Sequence, residues 1–195
     1  MPQKPKNEDA IRNQYAEQGV DAYYQQHGDA YENPHFTQIE KLLQQNQSKI
    51  GYTHILDFCA GGGEVSRILQ AMGFADVQGC DPYTHELYQQ QVGQTCLTYN
   101  FQEVIQGRLN QWVADQQPNQ EFSSIICSFA MHLCPEKQLY PLVSNLFQLT
   151  RQLIIITPHK RPALEDLAQV QLDFEDFTLT KRGKKVKLKS YSWND

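Results

Sequence analysis

Short apolar segments alternate with amphipathic ones along most of this 195-residue chain, and that alternation limits its fold more than any other feature. The apolar segments have the length of strands: Tyr52–Phe58, Ala75–Cys80, Thr95–Tyr99, Glu121–Phe129 and Leu153–Thr157. Helical spacing fills the intervals between them, in Glu64–Met72, Thr84–Val92, Gln102–Ala114 and Pro135–Leu149. Near-continuous apolar strands that alternate with helices predict a parallel sheet covered on both faces.

The end of the chain has a different pattern. After a short helical stretch between Pro162 and Gln169, apolar and polar residues alternate in Leu172–Thr180 and again in Lys184–Tyr191. A lysine, an arginine and a glycine separate these segments, so we predict a β-hairpin whose last strand is antiparallel to the other strands. The expected fold is an α/β protein, a three-layer α/β/α sandwich with a mostly parallel seven-stranded sheet.

Length and composition favour a single globular unit. Hydrophobic residues make up 40% of the chain, too many for a disordered tail. We assign residues 1–48 to an N-terminal helical extension of this unit and residues 49–195 to its main part. No apolar run is long enough to cross a bilayer, and the first nine residues lack the apolar core of a signal peptide. We therefore expect a cytoplasmic protein with no membrane contact.

Cysteine usage argues against disulfides and zinc. The five cysteines, at positions 59, 80, 96, 127 and 134, are odd in number and no two have CxxC spacing. Most lie in apolar runs, where a thiol packs like a small hydrophobic side chain. We expect neither a disulfide framework nor a metal site.

The segment that indicates chemistry runs from Ile55 to Ser66. A buried strand leads into a glycine-rich turn, and the turn leads into a helix N-terminus, which attracts negatively charged ligand groups. Against the dinucleotide pattern GxGxxG, Gly61 and Gly63 fit but Ser66 stands at the third position, so a nicotinamide site is matched weakly. An acid, Asp57, also lies in the strand just before the turn, where dinucleotide sites are usually apolar.

This acid, the spacing DxxxGxG after it and a second acid, Asp81, at the end of the next strand together resemble motif I of class I S-adenosylmethionine-dependent methyltransferases. The resemblance covers most of residues 50–192 and includes the terminal hairpin, which closes the seven-stranded sheet of that family. One departure is Cys59, which stands where the family usually has the first of three glycines.

The resemblance implies a cofactor site at the ends of four strands. Asp57 would position the methionine part of S-adenosylmethionine, and Asp81 would hold the ribose hydroxyls, since a carboxylate has two acceptor oxygens for a vicinal diol. The cofactor-binding residues implied are Asp57, Cys59, Ala60, Gly61, Gly63, Asp81, Pro82, Asn100, Phe101 and Ser128. In the alternative interpretation, Asp57 only caps the turn, Asp81 is an ordinary strand-end acid, and Asn100 is a turn residue.

Further candidates lie after the fourth and fifth strands and before the first. His132 is the candidate general base, because its unperturbed pKa is near neutral; its alternative role is to cap or pack beneath a helix. Met131 is expected to line the substrate wall. His159 and Arg161 belong to a basic loop suited to an acidic substrate, or else to a merely solvated loop. In many members of the family, helices before motif I cover the cofactor, so the resemblance implies that residues 1–48 form a lid, with Tyr23, Tyr31 and His35 as expected substrate contacts.

Charge is unevenly distributed. The formal net charge of −5 argues against a nucleic-acid footprint over the whole domain, but six cations crowd residues 181–189. We interpret them as a solvated sheet edge, where lysine discourages aggregation, with RNA contact as the alternative.

The sequence thus predicts an S-adenosylmethionine-dependent methyltransferase that acts on a small-molecule acceptor. Three alternatives stay open: a binding or scaffold protein with the same fold and no activity, an RNA (tRNA) methyltransferase, and a nicotinamide-dependent oxidoreductase. Nothing in the sequence indicates the oligomeric state.

Overall fold

Seven strands form one sheet in the computed structural model, which describes residues 33–118 and 120–194. The strands are β1 (Ile55–Phe58), β2 (Val77–Cys80), β3 (Cys96–Leu97), β4 (Ser124–Ser128), β5 (Leu153–Thr157), β6 (Val170–Leu179) and β7 (Lys185–Trp193). Their order in the sheet is β3-β2-β1-β4-β5-β7-β6. Every pairing from β3 to β5 is parallel, and β7 is antiparallel to both of its neighbours, so the predicted mixed sheet is confirmed.

Within the described residues, six helices cover the sheet: α1 (Phe36–Gln45), α2 (Glu64–Ala71), α3 (His85–Val92), α4 (Phe101–Ile105), α5 (Arg108–Gln116) and α6 (Glu136–Phe147). Short 3₁₀ turns span Met131–Leu133 and Leu164–Asp166. The predicted helix from Gln102 to Ala114 is two helices, because Gly107 adopts φ 78°, a left-handed conformation that ends one helix and begins the next.

The buried residues of the strands alternate between two apolar clusters, one on each face of the sheet. In β1, Leu56 and Phe58 belong to the cluster beneath α4, α5 and α6, while Ile55 belongs to the cluster beneath α1 and α2. In β5, Leu153 and Ile155 face the first cluster and Ile154 the second. Alternation of side chains along a strand and helices on both faces produce the three layers that the sequence predicted.

The terminal hairpin differs from expectation in one respect. Its lysine-bearing strand, β7, lies inside the sheet between β5 and β6, so these lysines do not mark a sheet edge. The edge strand is β6, which contains three acids and no lysine and has a register shift between Leu172 and Phe174. Lys187 and Lys189 of β7 are instead paired with acids, Glu175 and Glu165 respectively.

The predicted lid is seen only in its last part. Tyr23 and Tyr31 lie outside the described residues, and the division between residues 1–48 and 49–195 stays a prediction. All five cysteines are free. Among residues 33–118 and 120–194, no helix is both long and apolar enough to span a bilayer, and no three His, Cys, Asp or Glu side chains are grouped as metal ligands.

Candidate functional site

A cavity of about 350 Å³ opens at the carboxyl ends of β1, β2, β3 and β4. Ligands of open α/β sheets bind at this edge, and the volume is that of a small-ligand site. The lining residues are Cys59, Gly61, Asp81, Pro82, Tyr83, Tyr99, Asn100, Phe101, Gln102, Ser128, Phe129, Ala130, Leu133, Pro135 and Gln138. This set includes seven of the ten residues expected to bind a cofactor; Asp57, Ala60 and Gly63 are buried and do not line the cavity.

The glycine-rich turn begins with strained backbone. Cys59 has φ 58°, in the left-handed region that glycine adopts most easily, and its N–H donates to the carbonyl of Cys80 at 2.8 Å. Gly63, with φ 79°, is followed by α2, and a Cβ at this position would lie 2.3 Å from Val92 Cγ2. The turn therefore needs glycine at position 63 for both its backbone conformation and its packing, whereas it accommodates a side chain at position 59.

Asp57 lies beneath this turn and is fully buried. Its Oδ2 accepts hydrogen bonds from the Ser66 N–H at 3.1 Å and from the Ser66 hydroxyl at 2.7 Å, and Tyr88 Oη lies 2.8 Å from Ser66 Oγ. Asp57 Oδ1 is buried without a hydrogen-bond partner among the described residues. Burial raises the pKa of Asp57 to about 8, and the nearby charges of Glu64 and Asp81 add to the effect.

Asp81 joins two turns at the cavity. Its Oδ1 accepts the N–H groups of Tyr83 at 2.9 Å and Thr84 at 3.0 Å, and its Oδ2 accepts the N–H of Gly61 at 3.1 Å. A carboxylate offers about four acceptor positions, so one remains on Oδ2. Thr84 is at the N-cap position of α3, but its hydroxyl donates to the carbonyl of Gly61 at 2.8 Å and caps no helix N–H. Asp81 and Thr84 thus join the glycine-rich turn after β1 to the turn after β2.

Asn100 begins α4. Its Oδ1 accepts the N–H of Glu103 at 3.0 Å, and Glu103 Oε2 accepts the N–H of Asn100 at 3.0 Å, which makes a capping box. The structural role considered for Asn100 is therefore present, and its amide nitrogen stays available on the cavity side of the fold. Phe101 lines the cavity and packs against Phe58, whose ring centroid is 6.0 Å away.

The start of the described chain lies on the rim of the cavity. The Asn33 N–H donates to Glu64 Oε1 at 3.1 Å, and Asn33 Oδ1 accepts the N–H of His35 at 2.9 Å. The His35 ring is stacked on Phe129, with centroids 4.9 Å apart and planes 9° apart, and Phe129 lines the cavity. Glu64 is buried, which raises its pKa. The sequence predicted Glu64 only as the start of a helix, and its buried contact with Asn33 has no local signal.

The candidates from the loops after β4 and β5 come together only in part. The rings of His132 and His159 contact each other, with centroids 4.1 Å apart. Met131 is 2% exposed, packs in the apolar cluster beneath α6 and does not line the cavity, so its expected place on a substrate wall stays a prediction. Arg161 is exposed and forms an ion pair with Asp166 at 3.0 Å. The roles of His132, His159, Arg161 and His35 stay predictions.

Several lining residues were not predicted. Tyr83, Tyr99, Gln102, Phe129 and Ala130 sit within two residues of predicted site positions, so closeness to a strand end is the signal they share. Leu133 directly follows the predicted His132 and shares that signal, whereas Pro135 and Gln138 approach the cavity because α6 packs beside α4, which no local pattern in the sequence indicates.

Comparison with known proteins gives a relative and many similar structures. No protein-family model matches the chain. A Schizosaccharomyces pombe protein described as "Uncharacterized protein C17A5.05c" is 31% identical over 195 residues, covering 80% of this chain and 77% of that protein.

The similar structures share the fold at low sequence identity. Magnesium protoporphyrin IX methyltransferase from Synechocystis, crystallised with bound S-adenosylhomocysteine, is 15% identical with a TM-score of 0.61, over 97% of this chain and 100% of that chain. A SAM-dependent methyltransferase from Anabaena variabilis is 10% identical with a TM-score of 0.62, over 89% and 93%. The chain belongs to the same family as the fission-yeast protein C17A5.05c, and its fold is that of the class I S-adenosylmethionine-dependent methyltransferases.

Proposed function

We propose that this protein is an S-adenosylmethionine-dependent methyltransferase and that the cavity at the ends of β1–β4 binds its cofactor. The observation that carries the proposal is the pair of acids around the glycine turn. Asp81 lines the cavity with one acceptor position of Oδ2 uncommitted, and Asp57 has a buried Oδ1 without a partner in the described chain. The free acceptor position of Asp81 suits a ribose diol, and Asp57, which does not line the cavity, would act on such a ligand through the glycine turn that it supports.

The remaining lining residues fit the other parts of such a cofactor. Tyr99 and Phe101 offer aromatic and apolar surface for an adenine ring beside the loop after β3. Because Asn100 Oδ1 already accepts a backbone N–H, we expect its amide nitrogen to donate to a ring nitrogen of adenine. Cys59, Gly61 and Ser128 surround the space between the acids and β4, where the resemblance places the methionine part.

The chemistry follows from this placement. The bound cofactor supplies an electrophilic methyl group on a sulfonium sulfur. The protein's contribution is to hold an acceptor nucleophile in line with that group, which replaces a random bimolecular encounter by an oriented one. His132 is proposed to take the proton that the acceptor loses, since the loop after β4 follows the strand nearest the expected methyl position.

The acceptor of the methyl group is a separate part of the proposal. The expected free small-molecule acceptor is supported by the modest cavity, and an RNA acceptor is the second candidate. A nucleobase that is flipped out of an RNA strand is about as large as a free small-molecule acceptor, so it can enter the same pocket. The two classes therefore differ in the surface around the cavity rather than in the cavity itself. The expected cytoplasmic location stays a prediction.

Calorimetry with S-adenosylmethionine, S-adenosylhomocysteine and NAD tests the proposal. We expect micromolar binding of the first two and none of NAD. The Asp81→Asn variant should bind the cofactor at least tenfold more weakly, because the amide offers a donor where a ribose hydroxyl needs an acceptor. Asp115→Asn is the matched control, since Asp115 is exposed on α5, away from the cavity.

The alternatives give different results. A folded protein that binds neither S-adenosyl compound would favour the scaffold without activity. Selective binding of NAD would favour the oxidoreductase. Unchanged affinity of Asp81→Asn would overturn the assignment of Asp81 to the ribose.

A further inference from the structure

Five cations are exposed together at the carboxyl edge of the sheet, and we name them the basic rim: Lys160, Lys181, Arg182, Lys184 and Lys185. Lys160 lies in the loop that directly follows β5, and the other four lie in or beside the turn of the β6–β7 hairpin. In the sheet, Thr157 at the end of β5 pairs with Lys187, and β7 begins two residues earlier at Lys185. The hairpin therefore extends past the end of β5, on the edge where the cavity opens.

The basic rim is not neutralised by nearby acids. The segment from Phe177 to Val186 contains four cations and no acid. In the part of the chain that the structure describes, none of the five rim cations forms an ion pair, whereas Arg161, Lys187 and Lys189 each have an acidic partner. A local positive field thus persists on a chain whose net charge is −5.

Protection of a sheet edge does not account for these cations. Lysine discourages edge-to-edge pairing when it lies on the edge strand, but the edge strand here is β6, which contains none. Four of the rim cations protrude beyond the neighbouring strand β5 instead of lying along the edge. Their placement favours the alternative that the sequence left open, contact with a polyanion.

Exposed apolar side chains accompany the cations. Phe177 is 45% exposed and Leu179 is 50% exposed, although both are large and apolar. Lys185 Nζ lies 4.0 Å from the centre of the Phe177 ring and covers one part of it. Cations interleaved with an exposed aromatic ring are typical of surfaces that bind single-stranded nucleic acids, where phosphates meet the cations and a base stacks on the ring.

We infer that the basic rim binds the phosphodiester backbone of a single-stranded nucleic acid. What this binding means for the methyl acceptor rests on the proposed function. Strand β7 lies two positions from β4 in the sheet, which is about 10 Å at a spacing of roughly 4.8 Å per strand. A single-stranded nucleic acid whose backbone lies along the basic rim therefore has its bases within reach of the cavity. The acceptor of methyl transfer is then a nucleobase or ribose of the bound polymer.

Fluorescence anisotropy with labelled single-stranded RNA and DNA of the same sequence tests the inference on the full chain. Each phosphate neutralised in a single strand contributes about −0.7 to the slope of log K against log salt, so five contacts predict a slope of about −3.5. Affinity should then fall roughly 100-fold between 50 and 200 mM salt. Tighter binding of one of the two polymers would identify which one is held.

Matched variants locate the contact. The rim variant combines Lys181→Gln, Arg182→Gln and Lys184→Gln, and should bind at least tenfold more weakly with a slope of about −1.4. The control variant combines Lys41→Gln, Lys49→Gln and Arg151→Gln, which removes the same charge from exposed positions elsewhere. It should bind like the wild type. Phe177→Ser should weaken binding by about fivefold or more through the lost stacking.

The outcomes separate this inference from the proposed function. A protein that binds S-adenosylmethionine but no nucleic acid at 50 mM salt would overturn the inference and leave the proposed function standing. Equal losses in the rim and control variants would also overturn it, as would binding of polyglutamate as tight as that of RNA. Weakened nucleic-acid binding in the rim variant, with cofactor affinity unchanged, would support it.

Discussion

Replacement of the buried Asp57 should change how the stability of the protein depends on pH. The pKa of Asp57 in the folded protein is about 8, against 3.8 for an unperturbed aspartate. Between these values the unfolded chain has lost the proton that the folded chain still holds. Because the folded state binds more protons, the free energy of unfolding falls as pH rises from about 4 to about 8.

The size of the effect follows from the shift. Each unit of pKa difference corresponds to about 1.36 kcal/mol, so raising the pH from 5 to 8 should cost roughly 4 kcal/mol through this one carboxyl. The Asp57→Asn variant cannot ionise and loses that dependence. It also leaves a buried amide imperfectly paired, which costs about 1–3 kcal/mol at every pH. Its stability relative to the wild type should therefore improve steadily as pH rises.

Urea unfolding of both proteins at pH 5, 6, 7 and 8 measures the difference. We expect the gap in unfolding free energy to change by about 1 kcal/mol for each pH unit, with a smaller change as pH approaches 8. Asp115→Asn, at an exposed position, should follow the wild-type profile throughout. Parallel profiles for wild type and Asp57→Asn would show that Asp57 is ionised in the folded protein at pH 5, and would refute the reasoning.

Two further pairs of matched variants test the packing around the glycine turn and the buried ion pair. Gly63→Ala should lose about 3 kcal/mol or more of stability in a thermal or urea melt, whereas Gly73→Ala, also at positive φ but with open space around its Cβ, should lose about 1 kcal/mol. Lys189→Met should cost about 1–2 kcal/mol of stability, because the 9%-exposed Lys189 forms an ion pair with Glu165 at 2.7 Å. Burial by itself raises the pKa of Glu165, but the contacts with Lys189 and a tyrosine hydroxyl outweigh it and keep that pKa below its usual range. Lys187→Met, at a more exposed pair, should cost less than about 1 kcal/mol in the same assay, and equal losses would contradict the argument.

The sequence was sufficient for features that depend on local pattern. Apolar runs and helical spacing predicted the parallel strands and the closing hairpin, because a strand buried on both faces must be apolar at nearly every position. The strand ends then fixed where Asp81 and Asn100 would lie, since all parallel strands end on one edge. Their presence at the cavity required no knowledge of tertiary packing.

Features that depend on contacts between distant segments were out of reach. The bond between Asn33 and Glu64 joins residues 31 positions apart, and nothing local marks it. Met131 follows β4 at a position where neighbouring residues line the cavity, but the 3₁₀ turn directs it into the core. The lysines of β7 appeared to mark an edge because the order of the last two strands in the sheet does not follow their order in the chain.

That strand order has a consequence for how copies of this molecule meet. One edge of the sheet belongs to β6, whose register shift near Asp173 interrupts the regular row of backbone groups. Glu175 and Asp176 follow within the same strand. Two such edges brought side by side would face a distorted hydrogen-bond ladder and mutual repulsion between carboxylates. The β6 edge therefore does not favour pairing with a second molecule, and the opposite edge strand, β3, is only two residues long, so concentrated solutions of the folded protein should resist growth of continuous intermolecular sheets.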